Sequence, residues 1–423
     1  MSSSQGPEPA GPPAEAQDPR PAAESPAAGW AWAKPAQPIR WVPTEPLEYH
    51  RLFRGVPRYR WWRPLLALLL GVVYYLTLSV VFGLLVMVPY LMISGAPLDQ
   101  DALMELAIPD TQRPISLLLT LGSVAMMIPA VQLAMLSTGL SPVGRIWSVA
   151  LRIRWGLIWR TALPALAALV VMNAIGFALE AALAAGRGGA APPEAPVIDW
   201  GLAAWSAALI LVLVPIQSAA EEMVFRGLLM QVIGSWLKSP WFAIVIPSVL
   251  FGFAHIYDVW GWLSVVAMAL IAGWISWRTG GLEAAISLHV INNWVAFGFM
   301  TAGVGGATAQ TESSGGLGSL IGTVVGLLLY AWWVDRGFRR SGGGRMRVDL
   351  VEDRGPAAGG AAVAVGSADA ASPADPASPA DPADPASPAD SADPASSADP
   401  ARSADFAERR DGPVPPEDRE ARA

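Results

Sequence analysis

Eight stretches of the chain contain no Asp, Glu, Lys or Arg: 64–98, 114–144, 161–179, 201–220, 239–257, 259–277, 284–311 and 313–334. Each is near or above the roughly 20 residues that a helix needs to cross a bilayer core. The apolar runs show no period-2 alternation, so they read as helices and not as strands. The pattern predicts an all-α fold, a polytopic membrane helix bundle of about eight transmembrane helices. The longer stretches take in loop residues, such as Ser94 to Pro97 and the Gly/Thr-rich 303–311.

Charges between the stretches alternate in sign. Arg40, Arg51, Arg54, Arg58, Arg60 and Arg63 precede the first span, and Asp99, Asp101, Glu105 and Asp110 follow it against Arg113. Arg145, Arg152, Arg154 and Arg160 follow the second, and Glu194 and Asp199 with Arg187 follow the third. Arg226, Lys238, Arg278 and the group Arg336, Arg339, Arg340, Arg345 and Arg347 then share one side with the earlier arginines, while Asp258 and Glu312 lie opposite. Basic loops mark the cytosol, so both termini are expected to be cytoplasmic in a multi-pass protein. Trp61, Trp62, Trp200, Trp236, Trp241, Trp260, Trp277, Trp332 and Trp333 fall near span ends, as an interfacial belt does.

Composition sharpens this picture. Hydrophobic residues make up 53% of the 423 and charged residues 15%, with mean hydropathy +0.40, which excludes disorder overall and argues against an ordinary soluble enzyme. From Val351 onward the chain carries 15 acidic against 6 basic residues, a net of −9, so residues 1–350 hold +2 of the total −7. That balance argues against a nucleic-acid partner. Residues 1–39 form a Pro/Ala-rich tail and 351–423 an acidic Ser/Pro/Ala/Asp repeat, both expected to be disordered because proline interrupts regular structure and few large apolar residues remain. The first tail lacks the apolar core of a signal peptide. Between them lies the membrane domain, 40–350. Only 2 of the 28 basic residues are Lys, and Ala, Gly and Pro abound. This bias suggests a GC-rich bacterial genome and hence a bacterial plasma membrane.

With Cys at 0, thiolate chemistry, disulfides and Cys-bound metals are excluded. Ionisable residues inside a span are costly and mark function by default. The densest group is Glu221-Glu222-Met223-Val224-Phe225-Arg226, followed by further apolar sequence, so the fourth helix should run on through it. Glu222 and Arg226 stand i,i+4 with the acid first, the favourable order for an ion pair. Glu221 points about 100° away and is left the less neutralised acid. Phe251-Gly252-Phe253-Ala254-His255 places a histidine in the fifth span, and His289 and Asn293 share a face of the seventh. At about 1.5 Å per residue, Glu221 lies roughly 20 Å from Ser235, His255 roughly 22 Å from Pro240, and His289 roughly 12 Å from Gly281. All three are expected within the bilayer and reached from the cytosolic side.

Glu-Glu-x-x-x-Arg at 221–226, Phe-x-x-x-His at 251–255 and His-x-x-x-Asn at 289–293, in order and each in its own span, resemble the CPBP intramembrane protease family, also called the CAAX protease or Abi family, which includes the eukaryotic Ras-converting enzyme. Arg278-Thr279-Gly280-Gly281-Leu282 adds to the likeness, whose motif core covers about 200–300. The resemblance implies an intramembrane endopeptidase. Glu221 would activate a water with His255, His289 and Asn293 would hold the oxyanion, and Glu222 and Arg226 would orient the site. Metal-free chemistry is favoured because Asn293 is a poor zinc ligand and a good oxyanion donor; Glu221, His255 and His289 would be the ligands if zinc were used.

Other proteases match less well: the chain has no His-Glu-x-x-His, no Gly-x-Ser-Gly before a span and no Gly-x-Gly-Asp. Two other readings stay open. One is a non-catalytic membrane scaffold or immunity-type protein on the same fold. The other is a proton-coupled transporter, although no repeat relates its two halves. The expected partners are the lipid bilayer and a peptide or membrane-protein substrate, less readily a prenylated one. The pattern sets no oligomeric state.

Overall fold

The computed structural model describes residues 39–95, 99–188, 194–312 and 315–353. Both expected tails lie almost entirely outside these residues. The helices are α1 (Arg63–Ser94), α2 (Gln100–Ala107), α3 (Pro114–Ala125), α4 (Met127–Thr138), α5 (Trp155–Gly186), α6 (Trp200–Glu222), α7 (Met230–Trp236), α8 (Pro240–Phe253), α9 (Val259–Thr279), α10 (Glu283–Thr301) and α11 (Leu317–Arg340). A π-helical segment, Met223–Leu229, joins α6 to α7. With α3 and α4 taken as one span, and α6 and α7 as another, eight helical segments correspond to the eight apolar stretches.

Six of these segments are long and apolar enough to cross a membrane: Arg63–Ser94, Pro114–Thr138, Trp155–Gly186, Trp200–Trp236, Val259–Thr279 and Leu317–Arg340. The other two depart for physical reasons. Helix α8 has 14 residues, about 21 Å of rise, short of a core about 30 Å thick. Helix α10 carries Glu283, His289, Asn292 and Asn293 within its 19 residues. These two deviant segments supply Phe251, His289, Asn292 and Asn293 to the site described below.

Small residues let the spans approach closely. Helix α11 packs along α5 through Gly318, Gly322 and Gly326. A Cβ on Gly322 would stand 2.4 Å from the Met172 carbonyl oxygen. Without a hydrophobic force between helices in lipid, such backbone approach is a main source of packing energy.

The two ends of the bundle are built differently. At one end, four helix starts are held by carboxylates. Asp99, Asp199 and Asp258 accept from first-turn amides of α2, α6 and α9, and Glu180 Oε1 accepts from Gly318 and Ser319 of α11. Acids belong at helix N-termini, where amide donors are unpaired and the dipole is positive. Loops at this end are stitched together: Thr111 N–H donates to Thr308 O, Gln310 N–H to Pro109 O and Asp258 N–H to Glu312 O, each at 2.9 Å.

The other end is the arginine-rich one, and it carries a folded cap. Strand β1 (Arg40–Pro43) pairs antiparallel with β4 (Leu350–Asp353), and β2 (Leu47–Glu48) with β3 (Met346–Arg347). Residues 351–353 therefore belong to a strand and not to the acidic tail, so the membrane domain runs slightly further than its charge pattern suggested. The 3₁₀ segment Tyr49–Gly55 buries Tyr49, Leu52 and Phe53 against α7. The approach is tight enough that a Cβ on Gly234 would meet the His50 carbonyl oxygen at 1.9 Å. The Tyr49 hydroxyl donates to Ile146 O. Arg145 donates to Asp349 Oδ2 at 2.6 Å and to the carbonyls of Leu52 and Gly55. Arg154 grips Glu283 through both of its carboxylate oxygens, at 2.9 and 2.7 Å.

Candidate active site

Helix α6 does run through the acid pair, as the apolar sequence after Arg226 required. The backbone loosens into the π segment immediately after Glu222. Insertions of this kind recur at functional sites because they re-aim side chains without ending a helix. The Glu222–Arg226 pair forms as its spacing predicted. Arg226 Nη1 donates to Glu222 Oε1 at 3.0 Å, with both side chains buried. The Arg226 guanidinium also sits over the Phe251 ring, 4.4 Å from its centroid. That contact gives the Phe of the second motif a task, since a desolvated cation is attracted by the face of an aromatic ring. Phe251 packs edge-on against His289 and lies beside His255, at centroid distances of 5.9 and 4.7 Å.

His289 lies between the two glutamates. Its Nδ1–H donates to Glu222 Oε1 at 2.8 Å, and its Nε2 stands 3.3 Å from Glu221 Oε2. The second contact is at ion-pair distance but is not aligned as a hydrogen bond, so Glu221 Oε2 is buried with no hydrogen-bond partner. Glu222 Oε2 and Arg226 Nε and Nη2 are unpaired as well. Buried polar atoms are rarely left so, and where they are, a functional role is a ready explanation. The sequence paired Glu221 with His255; the imidazole that Glu221 meets directly is His289.

His255 is placed differently from expectation. Helix α8 stops at Phe253, so His255 stands just beyond the helix end and not within a span. Its Nδ1–H donates to Phe251 O at 2.8 Å. This fixes the ring and leaves Nε2 as the uncommitted nitrogen. The ring stacks on Tyr257, whose hydroxyl accepts from Gln310 at 2.9 Å. Asn293 is held by a residue that sequence reasoning missed: its Nδ2 donates to Gln217 Oε1 at 3.1 Å. Gln217 sits one turn before Glu221 on the same face of α6, a spacing that could have flagged it. Asn292, also missed, donates to Asn293 Oδ1 at 3.2 Å.

Gln217, Glu221, His255, His289, Asn292 and Asn293 border one cavity of about 460 Å³, behind which Glu222 and Arg226 lie outside the lining. Its walls are apolar, formed by Leu121, Val124, Val265, Met268, Phe297 and Met300. Its deep end is closed by buried Phe251 and His289. Its exposed lining residues, Ala107, Ile108, Ala254, Ile256 and Ala296, all lie toward the acidic end. The cavity therefore opens away from the arginine-rich cap. The reading from the sequence expected access from the basic side. Depth counted along helices does not report which part of a pocket's lining is exposed. Among the described residues, no three His, Asp or Glu side chains stand together in a geometry that could hold a metal ion. The set Glu221, His255 and His289 therefore does not converge as zinc ligands in this conformation.

The fold and this centre define a multi-pass helical membrane protein with a buried acid–imidazole cluster beside a cavity. Residues 203–295, the segment that supplies most of the cluster and its cavity, match the family model described as type II CAAX prenyl endopeptidase Rce1-like, in agreement with the resemblance to the CPBP, or CAAX protease, family. The chain is also 34% identical over 104 residues to an uncharacterized protein, YyaK, of Bacillus subtilis (strain 168). That similarity covers 23% of this chain and 35% of the relative, so it spans about a third of the relative's length. No solved structure matches.

Proposed function

We propose that the protein is an intramembrane endopeptidase in which Glu221 is the general base. The single observation that carries this reading is a carboxylate of spare capacity facing a cavity. Glu221 lines the cavity and its Oε2 has no hydrogen-bond partner, whereas Glu222 does not line it and gives Oε1 to both Arg226 and His289. The Rce1-like match over the same residues supports an endopeptidase in general.

In this mechanism a water held between Glu221 and His255 Nε2 gives a proton to Glu221 as its oxygen attacks the scissile carbonyl carbon. The oxyanion accepts from Asn293 Nδ2 and from His289 Nε2–H. Arg226 and a doubly protonated His289 balance the two carboxylates. The Nε2–H of that ring makes no aligned hydrogen bond to Glu221 and is free to donate to the new oxyanion. The C–N bond then breaks, and Glu221 passes its proton to the leaving amine. The products are a carboxylic acid, which keeps the water's second proton until it is released to solvent, and an amine. No step uses a metal. Glu222, Arg226 and Gln217 position the groups that act. The basic end faces the cytosol of a bacterial plasma membrane, with both termini on that side, and the substrate is a peptide or a membrane protein.

The test is turnover of peptides by purified protein in detergent. Glu221→Gln and His255→Ala should each lose roughly 10²–10⁴-fold in rate at unchanged yield and melting temperature. Full activity in Glu221→Gln overturns the assignment. Absence of turnover in the wild type would favour a non-catalytic scaffold. Inhibition by a chelator, reversed by zinc, would replace the metal-free mechanism.

A further inference from the structure

We propose that the cavity admits extended peptide segments from the extracytoplasmic end of the bundle, so that its substrates are apolar segments at or near the outer face and not cytosolic C-terminal tails. The proposal rests on the endopeptidase reading. It adds the side of entry and the chemistry of what enters.

Three observations carry it. The rim belongs to connections at the acidic end: Ile108 and Pro109 after α2, Ala254 to Tyr257 after α8, and Gln310 after α10. These connections are tied into one frame by the Gln310–Pro109, Gln310–Tyr257 and Asp258–Glu312 hydrogen bonds. Toward the opposite end no cap residue lines the cavity. Phe251 and Arg226 stack beneath the cluster, and beyond them the cap closes over α7, with Arg145 buried on Asp349.

The charge asymmetry gives the two ends their sides. Among the described residues the basic side chains at the rim end are Arg113 and Arg187, and the other arginines outside the spans lie at the capped end. Basic loops stay in the cytosol, so the mouth faces the other way. The walls set the ligand. Apolar side chains line the approach, and a short row of amides, Gln217, Asn293 and Asn292, runs beside Glu221. An extended backbone offers amides the donors and acceptors they need, while its side chains meet the apolar walls.

The native chain has no cysteine, so single cysteines report accessibility cleanly. Ile108→Cys and Ile256→Cys place a thiol on the rim, with Val197→Cys as a second marker of that end and Ser341→Cys as a marker of the capped end. In intact spheroplasts, a membrane-impermeant maleimide is expected to label the first three variants. Ser341→Cys should label only after permeabilisation. Labelled Ile256→Cys should lose most of its turnover relative to the same variant unlabelled. In the same cells, a quenched peptide library with apolar residues at the centre and charged ends should be cleaved without permeabilisation by wild type and not by Glu221→Gln. Rim labelling that requires permeabilisation, or cleavage that requires it, overturns the proposal and leaves the endopeptidase reading standing. If purified wild-type protein cleaves no peptide at all, the endopeptidase reading falls and takes the substrate class with it, while the labelling pattern still decides the side of entry.

Discussion

Two groups of buried charge sit in this molecule, and they are finished to different degrees. At the capped end, Asp349 and Glu283 are engaged on both carboxylate oxygens. Asp349 takes Arg347 on Oδ1 and Arg145 on Oδ2, and Glu283 takes Arg154 on both oxygens. In the membrane-embedded centre, one oxygen of Glu222 and one of Glu221 have no hydrogen-bond partner although they are buried. Saturated acids fix structure, because a fully paired network is rigid and has nothing left to offer a substrate. Acids with unused acceptor capacity beside a cavity are where a water and a proton can be received. The contrast separates a structural from a chemical cluster when the residue types are the same.

The largest effect that could break this contrast is in the cap. Asp349→Asn leaves Arg145 a buried cation without its counter-charge, which is expected to cost about 3–5 kcal/mol, read as a fall in melting temperature. Turnover per folded molecule should stay near wild type. A loss of turnover with stability intact would show that the cap shares in the chemistry. Within the centre, Asn293→Ala should lower kcat roughly 10²–10³-fold, the usual cost of one oxyanion donor. Gln217→Leu should lower kcat less, because it releases Asn293 without removing it, and Gln217→Glu should restore part of the loss by offering an acceptor again.

The smallest effect concerns pH. Burial pulls the His50 imidazole below its ordinary value, against the opposing pull of the Lys238 carbonyl and Glu48. The unfolded chain therefore binds a proton that the folded chain refuses. The stability contributed by neutral His50 is present above the unfolded value of about 6.5 and is lost as pH falls from there through the depressed folded value. The slope is at most about 1.4 kcal/mol per pH unit. Melting curves between pH 7.5 and 5 should show this slope in wild type and lose it in His50→Gln. A steeper fall in the variant would place the sensitivity elsewhere.

Much of the site was readable before any coordinates. Charge-free runs gave the spans, helical spacing gave the Glu222–Arg226 pair, and sequence continuing past Arg226 placed the acids inside a helix. The rest was hidden for definite reasons. The link from Asn293 to Gln217 crosses 76 positions, and the link from Arg145 to Asp349 crosses 204, so no local pattern announces either. Arg145 and Arg154 read along the chain only as markers of sidedness, yet they also build the cap. The acids of the opposite loops likewise cap helices, a second reason for their positions beyond membrane topology. Composition likewise does not encode that Phe251 turns its ring under Arg226.

One paired measurement reaches the centre of the account: cleavage rate and melting temperature, side by side, for Glu221→Gln and Glu222→Gln. The adjacent acids differ in commitment, so the two variants should separate. Glu221→Gln should abolish cleavage and leave the melting temperature unchanged. Glu222→Gln should lower the melting temperature, because it strips the counter-charge from buried Arg226. If Glu221→Gln keeps its activity, or if it is the variant that unfolds, the assignment of chemistry to the uncommitted carboxylate is wrong.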